Sequence, residues 1–388
     1  MEQGKGLIVG IDMENTTTQA AVYDAKSSSV QSVNLAQDSR EYVNPVPLKD
    51  IISGDDGTDA DSLTRILNNV IAECMRVTNT TEVLSVCISF PYFYMDALNA
   101  LREAVRRTGI KDGRWQIISK TESFAYYSYS QKRELSSSGV ALIEYDEDGI
   151  HCVRLGVRKI DNVSYLLQEN VEYTSENIKN VVLQRTGLES VEEELCRFAE
   201  EYFIKRPVSA AYLTGAGFDV TELPPKFAKL MVTRRKAFVG QNLFSKGACY
   251  SAMELLKPEL FRNVELLLDN RVKYGIEMDI SQYGQAKRFR IVREGTNWYM
   301  IDRTMEFVLD DIRTITLRIT TPDKRYYDED IDISEIPFRE GKTTRISMNV
   351  RFSGVDRCLI CIKDKGFGDF YKSSGKVIYK ELEFKNED

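Results

Sequence analysis

GIDMENTTTQAAVYDA, residues 10–25, is the stretch on which the reading of this chain turns. The apolar run Gly6-Leu7-Ile8-Val9-Gly10-Ile11 leads into it. An aspartate, a threonine-rich turn and a second apolar run follow. Two such runs around a short polar turn predict a β-hairpin, with strands over 7–11 and 18–24. A hairpin that grips polyphosphate with backbone N–H groups carries glycine in its turn. Here Glu14 stands in the turn, a carboxylate where a phosphate would sit.

Working outward, a turn at Lys26-Ser27-Ser28-Ser29 leads to a third strand over 29–35. The polar, turn-rich segment NPVPLKDIISGDDGTDAD (44–61) reads as loop. Leu63, Ile66, Leu67, Val70, Ile71 and Cys74 recur at helical spacing. VLSVCISFP (83–91) is a buried strand, 95–108 an amphipathic helix, and Trp115–Ile118 a short strand. TESFAYYSYSQ (121–131) continues as helix, turning Phe124 and Tyr127 to the core and leaving Tyr126 open. After the turn SSSG, VALIEY (140–145) is a strand whose hairpin partner is IHCVRLGV (150–157). A helix over 190–203 places Val191, Leu195, Phe198 and Tyr202 on one face. SAAYLTGAGF (209–218) is a strand entering a glycine turn, and 241–256 is helical. Alternating strands and helices indicate an α/β sheet. After about residue 273 the texture changes to strands separated by Gly, Asp and Pro turns: 312–320, 344–352, 357–363 and 376–384. NVELLLDN (263–270) lies between the two parts and is apolar for a linker. It reads equally as the last helix or strand of the first part.

The chain has 388 residues, 43% hydrophobic and 29% charged, which fits two or three globular domains. A net charge of −7 argues against nucleic-acid binding and against docking on an anionic membrane. MEQGKGLIVG lacks the pattern of a secretory signal, and no apolar stretch approaches the ~20 residues of a membrane span. Seven scattered cysteines suit reduced thiols in a cytoplasmic protein. Cys358 and Cys361, placed in a strand, point to opposite faces, which argues against a metal or redox role. His151 is the only histidine, so Ser-His-Asp, Cys-His and multi-histidine metal chemistry are set aside. Arg234-Arg235-Lys236, just before the helix at 241–256, reads as a solvated helix end, with attraction of an anion or acidic partner as the alternative.

Four stretches now stand in order: GIDMENTTTQAAVYD, SFPYFYMDALNALREAVRRTGI, GVALIEYDEDGIHCVRLG, and AAYLTGAGF with FSKGACYSAME. Together they resemble the actin-like ATPase superfamily, whose fold is a duplicated ribonuclease-H-like α/β architecture. The likeness is greatest to the DnaK-type heat-shock chaperones. NVELLLDN…YGIEM is similar to their interdomain linker and the strand after it. DIDISEIPFREGKTTRISMNVRFSGVDRCLICIKDKGFG is similar to the sheet of their substrate-binding domain. The resemblance implies an ATPase-fold domain over 1–262 with lobes at 1–135 and 136–262, a linker over 263–273, and an antiparallel β-sandwich over 274–388. About 50 residues separate the third strand from VLSVCISFP, too few for the subdomain that chaperones insert there. No helical lid is expected after the β domain.

In this superfamily two glycine-rich hairpins wrap the phosphates, acidic residues hold Mg²⁺, and an acidic or amide side chain on the middle helix orients water. By resemblance, Asp12 matches the first-hairpin aspartate and Thr16 one of its threonines. Glu14 and Asn15 replace a glycine and a threonine. Lys120 falls at the catalytic acid, unless an offset of two places Glu122 there. Glu144 sits at the second-hairpin aspartate. Asp146-Glu147-Asp148-Gly149 replaces a glycine run. Gly215, Gly217 and Lys246 keep the pattern of the adenosine side. Two like charges 4 Å apart cost about 1 kcal/mol in water and about 4 at an effective dielectric of 20. A triphosphate facing Glu14 and the acidic hairpin meets several such terms.

The reading is therefore of a degenerate nucleotide site, with no catalytic residue, no metal ligand and no cofactor, in which Lys120 supplies the missing positive charge by pairing with Asp12, Glu14 or Glu144. The implied function is a non-catalytic, chaperone-like scaffold that binds a protein or extended peptide through its β domain. The first alternative is an active ATPase holding Mg²⁺ and ATP or ADP with Asp12, Glu144 and Thr16. The second is an actin-like assembly protein.

Overall fold

The computed structural model describes residues 6–25, 27–36, 39–52, 60–323 and 325–384. Expectations that fall on residues 1–5, Lys26 and 53–59, parts of the leader, turn and loop readings, lie outside the described residues. The chain divides into two compact units, one of Met1–Lys159 with Ser164–Val264, the other of Ile160–Val163 with Glu265–Asp388. No helix among the described residues is long and apolar enough to cross a membrane.

The first half of the larger unit runs β1 (Leu7–Met13), β2 (Thr17–Asp24), β3 (Ser29–Ser32), β4 (Glu41–Val43), α1 (Leu48–Ile52), α2 (Ala60–Thr78), β5 (Val83–Ser89), α3 (Met95–Arg107), β6 (Trp115–Ile118) and α4 (Lys120–Tyr129). Its sheet has the order β3-β2-β1-β5-β6, with β4 beside β2. β1 is antiparallel to β2 and parallel to β5, and β5 is parallel to β6. β1 is apolar and buried almost throughout because neighbours flank it on both sides. The expected helix over 63–74 is α2, and all six residues that signalled it are buried.

The second half repeats the scheme. It runs β7 (Val140–Asp146), β8 (Gly149–Ile160), β9 (Val163–Tyr173), α5 (Glu176–Gln184), α6 (Glu192–Lys205), β10 (Ala210–Thr214), α7 (Pro225–Met231), β11 (Lys236–Val239) and α8 (Leu243–Leu256). Its strand order is β11-β10-β7-β8-β9. β7 is antiparallel to β8 and parallel to β10, and β10 is parallel to β11. The central strand of each sheet is thus the first of its half, followed by an antiparallel partner and then two parallel strands across helices.

The halves meet along α8. A Cβ on Gly10 of β1 would lie 2.0 Å from the backbone N of Cys249, and one on Gly247 would lie 1.9 Å from the carbonyl of Ser123 in α4. Ser123 Oγ donates to the Phe244 carbonyl at 2.5 Å, and Ser85 Oγ to that of Ala252 at 2.8 Å. Small residues let these backbones touch.

Several expectations are corrected. Within the segment read as loop, Leu48–Ile52 is helix, because Leu48, Ile51 and Ile52 have a core to enter. The helix read over 190–203 begins at Glu192, after a 3₁₀ turn over Leu188–Val191. Arg234-Arg235-Lys236 is not one solvated end before α8. Lys236 starts β11, and Arg235 stacks 3.6 Å from the Phe203 ring and donates to carbonyls at the end of α7. Residues 263–270, read equally as linker or as a last helix or strand, contain the strand β12 (Val264–Leu267), and Leu266, Leu267, Leu268 and Val272 are buried.

The smaller unit contains β13 (Gly275–Gln282), β14 (Gln285–Val292), β15 (Asp302–Leu309), β16 (Thr314–Thr320), β17 (Tyr326–Asp332), β18 (Thr344–Phe352), β19 (Arg357–Asp364) and β20 (Val377–Glu383). They form two four-stranded sheets, β14-β13-β16-β17 and β15-β18-β19-β20, with antiparallel pairing. Alternation along β18 buries Thr344, Ile346, Met348, Val350 and Phe352. Phe289 meets Phe307, and Phe384 stacks on both Tyr274 and Phe352. Asp364 is buried against Arg339 at 2.7 Å, and this guanidinium holds its carboxyl well below the usual range. Cys358 is buried and Cys361 partly exposed, on opposite faces of β19, and all seven cysteines are free.

Candidate functional site

β1, the β1–β2 turn, α4 and β7 converge at one point of the larger unit. β1 ends by delivering Asp12, 3% exposed, beside Ser89 of β5, its register partner. Asp12 Oδ1 is buried with no hydrogen-bond partner. Burial, reinforced by Glu14, pushes the Asp12 carboxyl up to about 8. Glu14 follows in the turn. Its carboxyl is also raised, first by burial, against the opposing pull of Lys120.

Lys120 is the first residue of α4, whose N-cap Ser119 accepts from the Glu122 amide at 3.1 Å. Its Nζ lies 2.6 Å from Glu14 Oε1 and 3.0 Å from Glu144 Oε1 on β7. It also lies 5.1 Å from the centre of the Phe244 ring. Burial alone would lower the amine, but Glu144, Glu14 and Asp12 outweigh it and hold it above its ordinary value. Lys120 therefore pairs with two of the three carboxylates expected for it, and Asp12 is buried behind them. Glu122, the alternative at this position, is 1% exposed two residues further into the helix.

The turn itself is fixed from behind. Glu14 N–H donates to the Thr17 carbonyl at 2.8 Å. Asn44 Nδ2 donates to the Glu14 carbonyl at 2.9 Å, and Asn44 N–H to that of Thr16. Asn15 turns to α1, its Oδ1 accepting from Lys49 N–H at 3.0 Å and its carbonyl from Leu48 N–H. Asn15 thus caps a helix, and Thr16 is exposed.

The other predicted residues stand around this cluster. Asp146 accepts from Asp148 N–H at 2.9 Å and lies 3.7 Å from His151, while its charge adds to the raising of Glu14. Gly149 closes that hairpin at φ 136°, where a Cβ would meet the Tyr173 carbonyl at 2.7 Å. Gly215 has φ 94°, and its peptide is held on both sides by the Gln241 amide, at 3.2 and 3.3 Å. A Cβ on Gly215 would lie 2.4 Å from the Tyr145 carbonyl, and one on Gly217 would lie 2.3 Å from the Tyr145 ring. Lys246, on the first turn of α8, is held low by burial, and its charged neighbour is Arg40. Sequence reasoning missed Asn44, Ser89, Gln241 and Tyr145, whose roles arise from contacts far apart in the chain.

The donor set does not fit a magnesium–polyphosphate. Mg²⁺ needs oxygen ligands at about 2.0–2.1 Å in octahedral array. Glu14 and Glu144 instead converge on an amine, and among the described residues no three acidic, histidine or cysteine side chains are arranged to hold a metal. The arrangement is an ion cluster in which one amine faces two carboxylates, with the Asp12 carboxyl buried behind them and pushed toward its protonated form.

Residues 49–269 match the family model described as "Family of unknown function (DUF5716) C-terminal", and residues 271–384 match "Domain of unknown function (DUF8552)". No curated protein sequence matches the chain. The chain is similar to the crystal structure of an inorganic polyphosphate/ATP-glucomannokinase from Arthrobacter sp. strain KM, with 12% identity and a TM-score of 0.40, over 66% of this chain and 100% of that one. The first match spans more than half of the chain, which belongs to that family.

Proposed function

We propose, for a chain of the DUF5716 C-terminal family, that the larger unit is a degenerate relative of the actin-like ATPases and acts as a chaperone-like scaffold without turnover. In this reading the smaller unit engages a protein or an extended peptide. The repeated strand order supports the superfamily assignment, and the pair of antiparallel sheets supports the peptide-binding role.

One observation carries the loss of turnover: the Lys120 amine, 2.6 Å from Glu14 and 3.0 Å from Glu144. It takes the place at which a divalent ion would join the two carboxylates to a nucleotide. A triphosphate entering there meets the Glu14 and Asp146 carboxylates, each costing about 1–4 kcal/mol at close range. A lysine held protonated cannot act as the base that takes a proton from water.

Thermal melting of the protein with millimolar Mg-ATP, Mg-ADP or adenosine tests the reading. A ligand at 100 times its Kd would stabilise the fold by about 2.7 kcal/mol, a shift of several degrees. No shift is expected with any of the three. A shift with Mg-ATP that Glu14→Gly enlarges would overturn the proposal and make the chain a working nucleotide binder.

A further inference from the structure

We propose that the open edge of β11, in the larger unit, is a docking site for an extended acidic segment of another protein, which joins the sheet as a further strand. The site goes beyond the scaffold reading, which concerns the cluster at Lys120 and the smaller unit, and does not rest on it.

β11 stands at the end of its sheet, parallel to β10, with no described strand beyond it. Lys236 N–H donates to the Ser209 carbonyl and Gly240 N–H to that of Leu213, both at 3.0 Å. In a parallel ladder one residue directs its N–H and C=O to one side, and the next residue directs both to the other. Lys236, Phe238 and Gly240 therefore face β10, and Ala237 and Val239 turn their peptide groups to the open edge. An edge left in this way is a template for another strand. Proteins that guard such an edge set charge or proline along it. Here the charge ends at Lys236, and Ala237-Phe238-Val239 follow. Phe238 is 40% exposed and stacks on the Tyr212 ring of β10 at 5.1 Å, and Val239 is 49% exposed. Being successive, they offer an apolar side chain on each face of the sheet edge.

Charge selects the occupant. Residues 223–253 hold no Asp or Glu but carry Lys226, Lys229, Arg234, Arg235, Lys236 and Lys246, in a chain whose net charge is −7. Of these cations only Lys226 has an acidic partner among the described residues, Glu193 at 3.2 Å. Arg235 is occupied by the Phe203 ring and by the carbonyls of Leu230 and Met231, none of which neutralises it. Arg234 and Lys236 are exposed, next to the apolar part of the edge. An added strand that sets an apolar residue beside Phe238 sets the residue two away beside Lys236, on the same face, where an acid is matched.

Two copies of this chain would bring their basic runs together at the joined edges, so an acidic strand is favoured over self-pairing. A nucleic acid could meet the cations, but a peptide strand is what pairs the N–H and C=O groups of Ala237 and Val239 in register.

Fluorescence anisotropy of the full chain tests this with the labelled, end-blocked peptide Glu-Glu-Thr-Val-Thr-Glu-Glu, whose order is the same in either direction. Its counterpart Lys-Lys-Thr-Val-Thr-Lys-Lys and a labelled single-stranded oligonucleotide are run beside it. The acidic peptide is expected to bind and to weaken with salt. Arg234→Glu/Lys236→Glu is expected to lose at least about tenfold in affinity for it and to gain affinity for the lysine peptide. Val239→Pro removes one outward N–H at a place where an edge strand tolerates proline, and is expected to weaken the acidic peptide by a similar factor. N-methylation of alternate residues of the peptide separates strand addition from charge attraction. One alternate set is expected to abolish binding and the other to leave it. Circular dichroism checks that the variants are folded, and if they are not, the two N-methylated peptides decide on the parent chain. Absence of binding up to millimolar peptide, equal effects of the two methylated sets, or tighter binding of the oligonucleotide would overturn the proposal. Binding indifferent to both variants would overturn it too, and would put the peptide elsewhere on the chain. So would a dimer in sedimentation that Val239→Pro abolishes, which would make a second copy the occupant.

Discussion

Lys120 faces Glu14 and Glu144 across contacts of 2.6 and 3.0 Å, with Asp12 behind them, so the first consequences of the site appear on removing one charge. Lys120→Met leaves partly buried carboxylates facing one another. The expected loss is about 3 kcal/mol, the lower end for breaking a buried pair, and urea unfolding measures it. Asp12 gives a pH dependence. Folded, it keeps its proton up to about pH 8, whereas the unfolded chain releases it near the ordinary aspartate value of 3.8. Between these values the folded state holds the extra proton, so stability falls as pH rises from about 4 to about 8. Asp12→Asn, which cannot ionise, is expected to be more stable than the parent at pH 8 by at least about 1 kcal/mol, with a smaller gain at pH 5. Urea midpoints at the two pH values give the comparison. Asp12, Glu14, Lys120 and Glu144 were legible because each occupies a place in an ordered series of short motifs. Asn44 and Gln241 were not, because a side-chain amide clamping a distant turn leaves no periodic or compositional trace.

At the scale of elements, α8 is fixed by backbone contact. Alanine in place of Gly247 gains up to about 1 kcal/mol of helix propensity. Its Cβ, however, would lie 1.9 Å from a helical carbonyl that cannot move alone. The clash outweighs the gain, and Gly247→Ala is expected to destabilise by about 1–3 kcal/mol in chemical denaturation, as is Gly10→Ala. Elements with a strong period were legible: α2, α3 and β18 lie within a residue or two of expectation or contain it. The segment over 158–189 gave no reading, yet it holds all of β9 and α5. β9 mixes buried and half-buried residues without strict alternation, and α5 buries only Ile178 and Val181. α1 was obscured by the Gly- and Asp-rich sequence beside it, and only its burial makes it a helix.

Across the whole molecule the two units respond to pH in opposite senses. Asp364 is depressed by Arg339, so its contribution is present above the unfolded carboxyl value and is lost as pH falls below about 4. Asp12 subtracts stability as pH rises from about 4 to about 8. Melting curves across pH are therefore expected to show the Asp364-dependent loss below about pH 4 and the Asp12-dependent loss toward pH 8. Asp364→Asn should remove the first limb and Asp12→Asn the second. The two-part organisation was legible from the change to alternating strands after residue 273. The place of Ile160–Val163 with the smaller unit was not, because nothing in four residues at a hairpin tip marks where they pack.

Gly215 and Gly217 bear on how such chains are recognised. Tyr145 fills the space that any side chain at either position would enter, so the turn requires glycine whether or not a nucleotide ever arrives. The pair reports how closely two neighbouring strands approach. A search that takes these glycines as the mark of a nucleotide binder would gather working enzymes and silent descendants alike. Position 120, where this chain carries a lysine paired with Glu14 and Glu144, is the better sorting key.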